Sequence, residues 1–376
     1  MYIPQRQLEN LKKLISPEKV VVIYGPRRCG KTTLISKYLE TTQEKYLLAS
    51  GDDITVQEYL SSQSVSKLRG FVGSNSLMVI DEAQRIRNIG LNLKLVVDHI
   101  KGIKVIVTGS SSFDPARDIG EPLTGRKYTL KLFPLAQMEI NQTEQRAETD
   151  SNLEARLIYG SYPETVLTND NSLRERYLKE IVGSYLYKDI LELEGVRHPD
   201  KIVRLLQLIA FQIGKEVSLS ELGGQLGMSK NTVERYLELL EKAFVVFKLT
   251  GFSRNLRKEI SKNARYYFYD VGIRNALINN FNTLQMRDDV GMLWENYVII
   301  ERIKKQEYSG LSANNYFWRT YDQKEIDFIE EREGALYGYE MKWKKAAAKP
   351  PKAWVTGYTN ARYEIINRDN YFEFIT

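Results

Sequence analysis

Between residues 20 and 133 the chain alternates short apolar runs with stretches whose apolar positions recur every three or four residues. The runs are "VVVIYG" (20–25), "KYLLAS" (45–50), "SLMVI" (76–80), "IKVIVTG" (103–109) and "KYTLKLF" (127–133). Short, β-branched and bounded by polar spacers of helical period, they predict strands covered by helices. Strands separated by helices predict a parallel sheet, in which ligands sit beyond the carboxyl ends of the strands. The pattern then changes. "NQTEQRAETDSN" (141–152) is polar and predicts a linker. Two amphipathic helical patterns follow at 172–195 and 200–214. Residues 217–249 predict a short helix, a turn at Gly227, a second helix capped by Ser229 and a β-rich end. Further on, 290–306 is helical in period, and "KEIDFIEEREGALYGYEMKWKK" (324–345) alternates around a Glu-Gly pair, predicting a β-hairpin. These shifts divide the chain into segments 1–150, 151–252 and 253–376.

Composition changes this picture little. Lys and Arg number 54 against 48 Asp and Glu, a net +6 that permits contact with nucleic acid without requiring it. A single cysteine, Cys29, excludes an internal disulfide framework and predicts a reducing, cytoplasmic setting. Two histidines leave little material for His-based triads or metal sites. No uninterrupted apolar stretch approaches the roughly 18 residues of a membrane span.

The chemistry concentrates after the first strand, at "GPRRCGKTT". Gly25, Pro26, Arg27, Arg28, Cys29, Gly30, Lys31, Thr32 and Thr33 form a turn with the spacing Gly–x4–Gly–Lys–Thr, followed by a helical pattern. Such a loop turns successive N–H groups toward an anion while the helix points its positive end at the same spot. Lys31 then reaches the β- and γ-phosphates, and the Thr32 hydroxyl is placed to ligate Mg²⁺. ATP and Mg²⁺ are the expected ligands. "SLMVIDEAQ" ends a buried run in Asp81–Glu82, where a charge is costly unless it coordinates something. Asp81 is suited to the Mg²⁺ shell and Glu82 to polarising the attacking water, against the plainer reading of a helix-capping pair. "KVIVTGSSS" offers Thr108 or Ser110 to sense a γ-phosphate, or is simply a polar turn.

"GPRRCGKTT", "VIDEAQ", "VTGSSS", "LTGR" (123–126), "PLAQMEI" (134–140) and "GSYPE" (160–164), in this order, resemble the bacterial AAA+-related ATPases with a C-terminal domain of uncharacterised function. Those proteins group with archaeal and bacterial ATPases whose nucleotide module is fused to a winged helix and a restriction-endonuclease-like domain. The resemblance implies an α/β fold: an AAA+-like P-loop NTPase sheet with its hydroxyl-tipped strand between the phosphate-loop and Asp–Glu strands. A helical, winged-helix domain and a mixed α/β PD-(D/E)XK nuclease-like domain follow. It also implies Arg126 as a γ-phosphate arginine, in cis or offered to a neighbouring subunit of a homo-oligomer, and Pro163 as a lid contact to adenine. A solvated surface arginine is the alternative for Arg126.

Two further segments bear on partners. The second helix of 217–249 would present Lys230, Asn231 and Arg235 to DNA, but Glu234, Glu238 and Glu241 share it, so a lid or protein contact stays open. Arg254, Arg257, Lys258, Lys262 and Arg265 beside tyrosines suit nucleic-acid contact or a solvated loop. In the hairpin, Glu325 and Asp327 share one face of the first strand, and Glu340 and Lys342 one face of the second. Asp327–x12–Glu340–x–Lys342 resembles the PD-(D/E)XK core, with Glu295 as the extra acid. Glu295, Asp327 and Glu340 are then the metal ligands, and Asp327, Glu340 and Lys342 the catalytic set. Pro350–Pro351 is expected to interrupt the helix behind that site. Two readings remain: an ATPase acting on nucleic acid, and a nucleotide-dependent switch that binds protein or DNA through an inactive nuclease-like domain.

Overall fold

The five apolar runs fold as strands: β1 Lys19–Tyr24, β2 Tyr46–Ser50, β3 Leu77–Asp81, β4 Lys104–Gly109 and β5 Lys127–Lys131. All pair in parallel, in the order β2-β3-β4-β1-β5. Alternate side chains divide between two cores. Val20 and Val22 join Met78, Ile80, Val105 and Val107 on one face, whereas Val21 and Ile23 join Leu77, Val79 and Ile106 on the other. Helices α3 (Ile54–Leu60), α4 (Val65–Val72) and α5 (Ile89–His99) cover the first face, and α1 (Gln7–Leu14) and α2 (Lys31–Leu39) the second. Burial on both faces is why these runs lack the alternation of a half-exposed strand.

This computed structural model describes residues 2–109, 122–186, 198–253, 264–320, 323–345, 349–358 and 360–376. It divides into two units, Pro4–Pro134 and Leu135–Thr376 with the N-terminal residues through Ile3. The first compact unit thus ends at Pro134, ahead of the expected segment boundary at 150/151. The expected linker is largely helix: after α6 (Gln137–Ile140), α7 runs Arg146–Tyr159 across it. The Glu148 carboxylate accepts the Gln145 N–H at 2.8 Å, and Thr149, Leu153, Arg156 and Leu157 form one buried stripe. That cap and spacing make a helix despite the polar composition.

In the second unit, α8 (Pro163–Leu167), α9 (Asn171–Glu180) and α10 (Pro199–Phe211) precede β6 (Glu216–Val217). Helices α11 (Leu219–Leu226) and α12 (Lys230–Lys242) follow, then β7 (Val246–Gly251) and β8 (Ala264–Phe268). The helix-turn-helix forms as the pattern predicts. Gly227 closes α11 in the left-handed region, and the Ser229 hydroxyl accepts the Thr232 N–H at the start of α12. β8 pairs antiparallel with both β6 and β7.

No boundary forms at 252/253. β7 also pairs in parallel with β9 (Asn314–Arg319), so one seven-stranded sheet runs β12-β11-β10-β9-β7-β8-β6. One core contains Ile202, Leu237, Trp294 and Phe328 together. Between β8 and β9 lie α13 (Val271–Leu277) and α14 (Val290–Ser309). β10 (Glu325–Arg332) and β11 (Ala335–Met341) form the predicted hairpin, and both turn residues, Glu333 and Gly334, have positive φ. Pro351 is the N-cap of α15 (Lys352–Gly357), so among the described residues a helix begins after the two prolines. β12 (Ala361–Ile366) pairs in parallel with β11, and α16 (Tyr371–Ile375) ends the chain.

Candidate functional site

The loop after β1 starts hard against the backbone that follows β5. A Cβ on Gly25 would lie 1.9 Å from the Leu132 carbonyl oxygen, so only glycine fits. Arg28 and Gly30 take positive φ, which turns the chain into α2. Gly30 is the N-cap of α2, and no side chain caps that end. Its first N–H groups are therefore left for an anion, where the helix dipole favours one. Lys31 is 6% exposed, and its ammonium donates to the carbonyls of Gly25 (2.9 Å) and Pro26 (2.8 Å). Cys29 is buried behind the loop, whereas Arg28, Thr32 and Thr33 are exposed.

The strand order brings the acidic pair to this loop. β4 lies between β1 and β3, with Ile23 level with Thr108 and Ile80 level with Val107. The Thr32 hydroxyl donates to Asp81 at 2.9 Å, and the Thr108 hydroxyl donates to the other Asp81 oxygen. Thr108 also accepts the Glu82 N–H at 3.0 Å. Thr32 and Asp81 thus present a hydroxyl and a carboxylate side by side, the oxygen donors a Mg²⁺ ion takes. Glu82 has a φ of 55° and its side chain caps nothing, which disfavours the helix-cap reading. The Gln84 amide donates to its carboxylate. Ser110 lies outside the described residues.

Arg126 is placed elsewhere. Its carbonyl accepts the Val20 N–H, so it stands at the amino end of β1 and β5, and its guanidinium pairs with Asp98 at 2.6 Å. The phosphate loop leaves the opposite end of β1, about 16 Å away along five residues of strand. An arginine preceding a parallel strand cannot reach the loop that follows its neighbour. This excludes the cis role.

The GSYPE segment is held by an aspartate from another part of the unit. Gly160 has a φ of 70°, and a Cβ there would sit 2.0 Å from Asp270 Oδ1. Asp270 Oδ2 accepts the Ser161 N–H at 2.7 Å. Pro163 is the first residue of α8, a position that needs no N–H.

The carboxylates of the C-terminal pattern do converge, but around an arginine. Arg265, on β8, is 4% exposed. Its guanidinium lies 2.6 Å from Glu325, 3.7 Å from Asp327 and 3.9 Å from Glu295. Tyr267 donates to Glu295 at 2.7 Å, the Met341 N–H to Asp327 at 2.9 Å, and Lys342 pairs with Glu340 at 2.7 Å. Among the described residues no group of three or more acidic, His or Cys side chains is arranged to hold a metal ion. Of the expected metal ligands Glu295, Asp327 and Glu340, two thus face a fixed cation, the Arg265 guanidinium. Arg265 is also too buried for the nucleic-acid contact its basic run suggested, and Arg254, Arg257, Lys258 and Lys262 lie outside the described residues. The missed signal was a lone charge inside the apolar strand "ARYYF".

Asp327 is pushed up to about 6 by burial and by Glu340, and Glu295 to about 8 by burial and by Asp327. A carboxyl raised on folding holds its proton more tightly in the folded chain. Its contribution to stability is full below the unfolded pKa, near 4.5 for Glu295, and is lost as pH rises through the folded value. The urea midpoint of the protein should therefore fall between about pH 5 and pH 8, and Glu295→Gln should flatten that fall. Parallel profiles for the two proteins would assign the dependence to other groups.

Residues 17–141 match the family described as an AAA domain. Residues 150–284 and 290–367 match two domains of unknown function, DUF8612 and DUF4143. An uncharacterized protein of Mycobacterium tuberculosis is 26% identical over 338 residues, spanning 88% of this chain and 72% of that one. An uncharacterized protein of Methanocaldococcus jannaschii is 25% identical over 359 residues, spanning 88% and 76%. Among solved structures, the Walker-type ATPase of Pyrococcus abyssi aligns with a TM-score of 0.48 at 16% identity, covering 73% of this chain and 94% of that one. The match at 17–141 contains both the Gly25–Thr33 loop and the Asp81–Glu82 pair, so this unit is similar to an AAA domain. Among the described residues no helix is long and apolar enough to cross a membrane.

Proposed function

We propose that the chain hydrolyses ATP with Mg²⁺ and uses the cycle to act on a partner through its second unit. The observation that carries this is the contact of Thr32, Asp81 and Thr108 at the carboxyl ends of three adjacent strands, beside an uncapped helix start. In this reading Gly25–Thr33 cradle the phosphates, Thr32 and Asp81 hold the ion, and Glu82 orients water as the proton acceptor. The ion supplies charge neutralisation across the phosphates when bound.

Nucleic acid is the first candidate partner. The order β6-β8-β7 beside α10, α11 and α12 suits a winged helix, and Lys230, Asn231 and Arg235 begin or face out from α12. The elements α14-β9-β10-β11-α15-β12 run in the order helix, three strands, helix, strand that suits a nuclease-like core. A specific observation favours the second reading, a switch that binds without cutting: Arg265 occupies the carboxylate cluster as a built-in counter-ion. Glu234, Glu238 and Glu241 along α12 also disfavour phosphate.

Turnover of ATP measured alone, with single-stranded DNA and with double-stranded DNA separates them. Stimulation by one form, on the order of tenfold, supports action on nucleic acid. Unchanged turnover, with no salt-sensitive binding to either form, leaves the protein-binding switch.

A further inference from the structure

We infer that Gln5 sets the anion-binding face of the phosphate loop, a positioning role that rests on the reading of that loop as the nucleotide site. Gln5 lies 24 residues ahead of Cys29 and is only 5% exposed. Its Nε2 donates to the Cys29 carbonyl oxygen at 3.1 Å. No peptide bond among the described residues is cis. In a trans peptide the carbonyl and the following N–H point in opposite directions. Tying the Cys29 carbonyl to Gln5 therefore directs the Gly30 N–H away from Gln5. That N–H belongs to the N-cap of α2, the end that no side chain caps.

The tether matters because this peptide is easy to turn. Gly30, at a φ of 99°, tolerates conformations on both sides of the φ map, and Arg28 already sits at 64°. A half-turn of the Cys29–Gly30 peptide would present a carbonyl oxygen where the loop must offer a donor. Glycine flexibility lets the loop form but does not choose between the two faces. Gln5 makes the choice from outside the loop. It is also packed tightly there: a Cβ on Gly30 would stand 2.8 Å from Nε2.

Two further observations separate this role from ordinary packing. Gln5 Oε1 is buried and has no hydrogen-bond partner. A buried orphan acceptor destabilises a fold, so an apolar side chain of the same length would serve packing better. Gln7, by contrast, satisfies both ends of its amide, donating to the Lys131 carbonyl at 2.7 Å and accepting from Asn10 at 2.8 Å. Gln7 therefore anchors the segment to the end of β5, and Gln5 is the residue whose donor end reaches the loop.

The test uses the full chain with Gln5→Met, which keeps length and removes the donor, and Gln5→Glu, which turns the donor into a repelling acceptor. Affinities for ATP, inorganic pyrophosphate and adenosine are measured by calorimetry or competition, with the melting temperature of each nucleotide-free protein. The expected result is about tenfold weaker binding of ATP and of pyrophosphate in the methionine variant, and about a hundredfold in the glutamate variant. Adenosine affinity and the melting temperature of the methionine variant should hold. Undiminished pyrophosphate binding by Gln5→Met overturns the inference. So does an equal loss for adenosine, which would make Gln5 a reader of the base, and so does a methionine variant that fails to fold, which would make it structural. Lys31→Ala serves as the reference. If it too binds pyrophosphate normally, the phosphate-loop reading itself fails; if it loses binding while Gln5→Met keeps it, only the role of Gln5 falls.

Discussion

Lys31→Ala should reduce ATP affinity by at least a hundredfold and leave the protein folded. Lys31 is 6% exposed, and among the described residues its ammonium is hydrogen-bonded to the Gly25 and Pro26 carbonyls. Those two oxygens hold it over the loop, where a triphosphate offers several charged acceptors in their place. Charge-assisted hydrogen bonds contribute about 1.5–3 kcal/mol each, so losing two of them accounts for a hundredfold or more. The truncation has a second effect of the same sign: it leaves two carbonyl dipoles facing the anion with nothing between them. Calorimetric titration with ATP, beside a melting curve of the nucleotide-free variant, checks both parts. Affinity within a few-fold of the unsubstituted protein would mean that the phosphates are held somewhere other than this loop.

The nucleotide unit was legible because its signals are local. Each buried strand is an uninterrupted run, and the glycine, lysine and threonine of the loop fall within a few residues of one another, with positive φ at Arg28 and Gly30. The same logic held information about Arg126, which precedes "KYTLKLF" and so must lie at the amino end of a parallel strand. The second unit was less legible because what shapes it is non-local. β7 pairs with β9 across 66 residues from Thr250 to Tyr316, and no composition shift announces such a pairing. The α7 stripe was diluted by a polar face, and one of its buried positions is an arginine, Arg156. Arg265 was visible as a charge in an apolar strand, but its partners come from α14 and β10, which only the folded sheet brings to it. Carboxylate spacing alone therefore suggested a metal where the fold supplies a guanidinium.

Glu82→Gln should keep ATP binding and lose hydrolysis, with turnover falling by roughly two to four orders of magnitude. The separation follows from where Glu82 sits. Asp81, not Glu82, contacts Thr32, so the expected ion site survives the substitution. The Glu82 N–H remains bonded to Thr108, which holds the backbone at the end of β3, and glutamine retains an oxygen for the Gln84 amide. What glutamine cannot do is accept a proton from water as it attacks the γ-phosphate. Single-turnover and steady-state rates distinguish this from slow release. A loss in both places Glu82 in the chemical step, whereas a loss only in the steady state places it in product departure. An undiminished rate in both would return Asp81–Glu82 to a structural pair and move the proton acceptor to another group within reach of the loop.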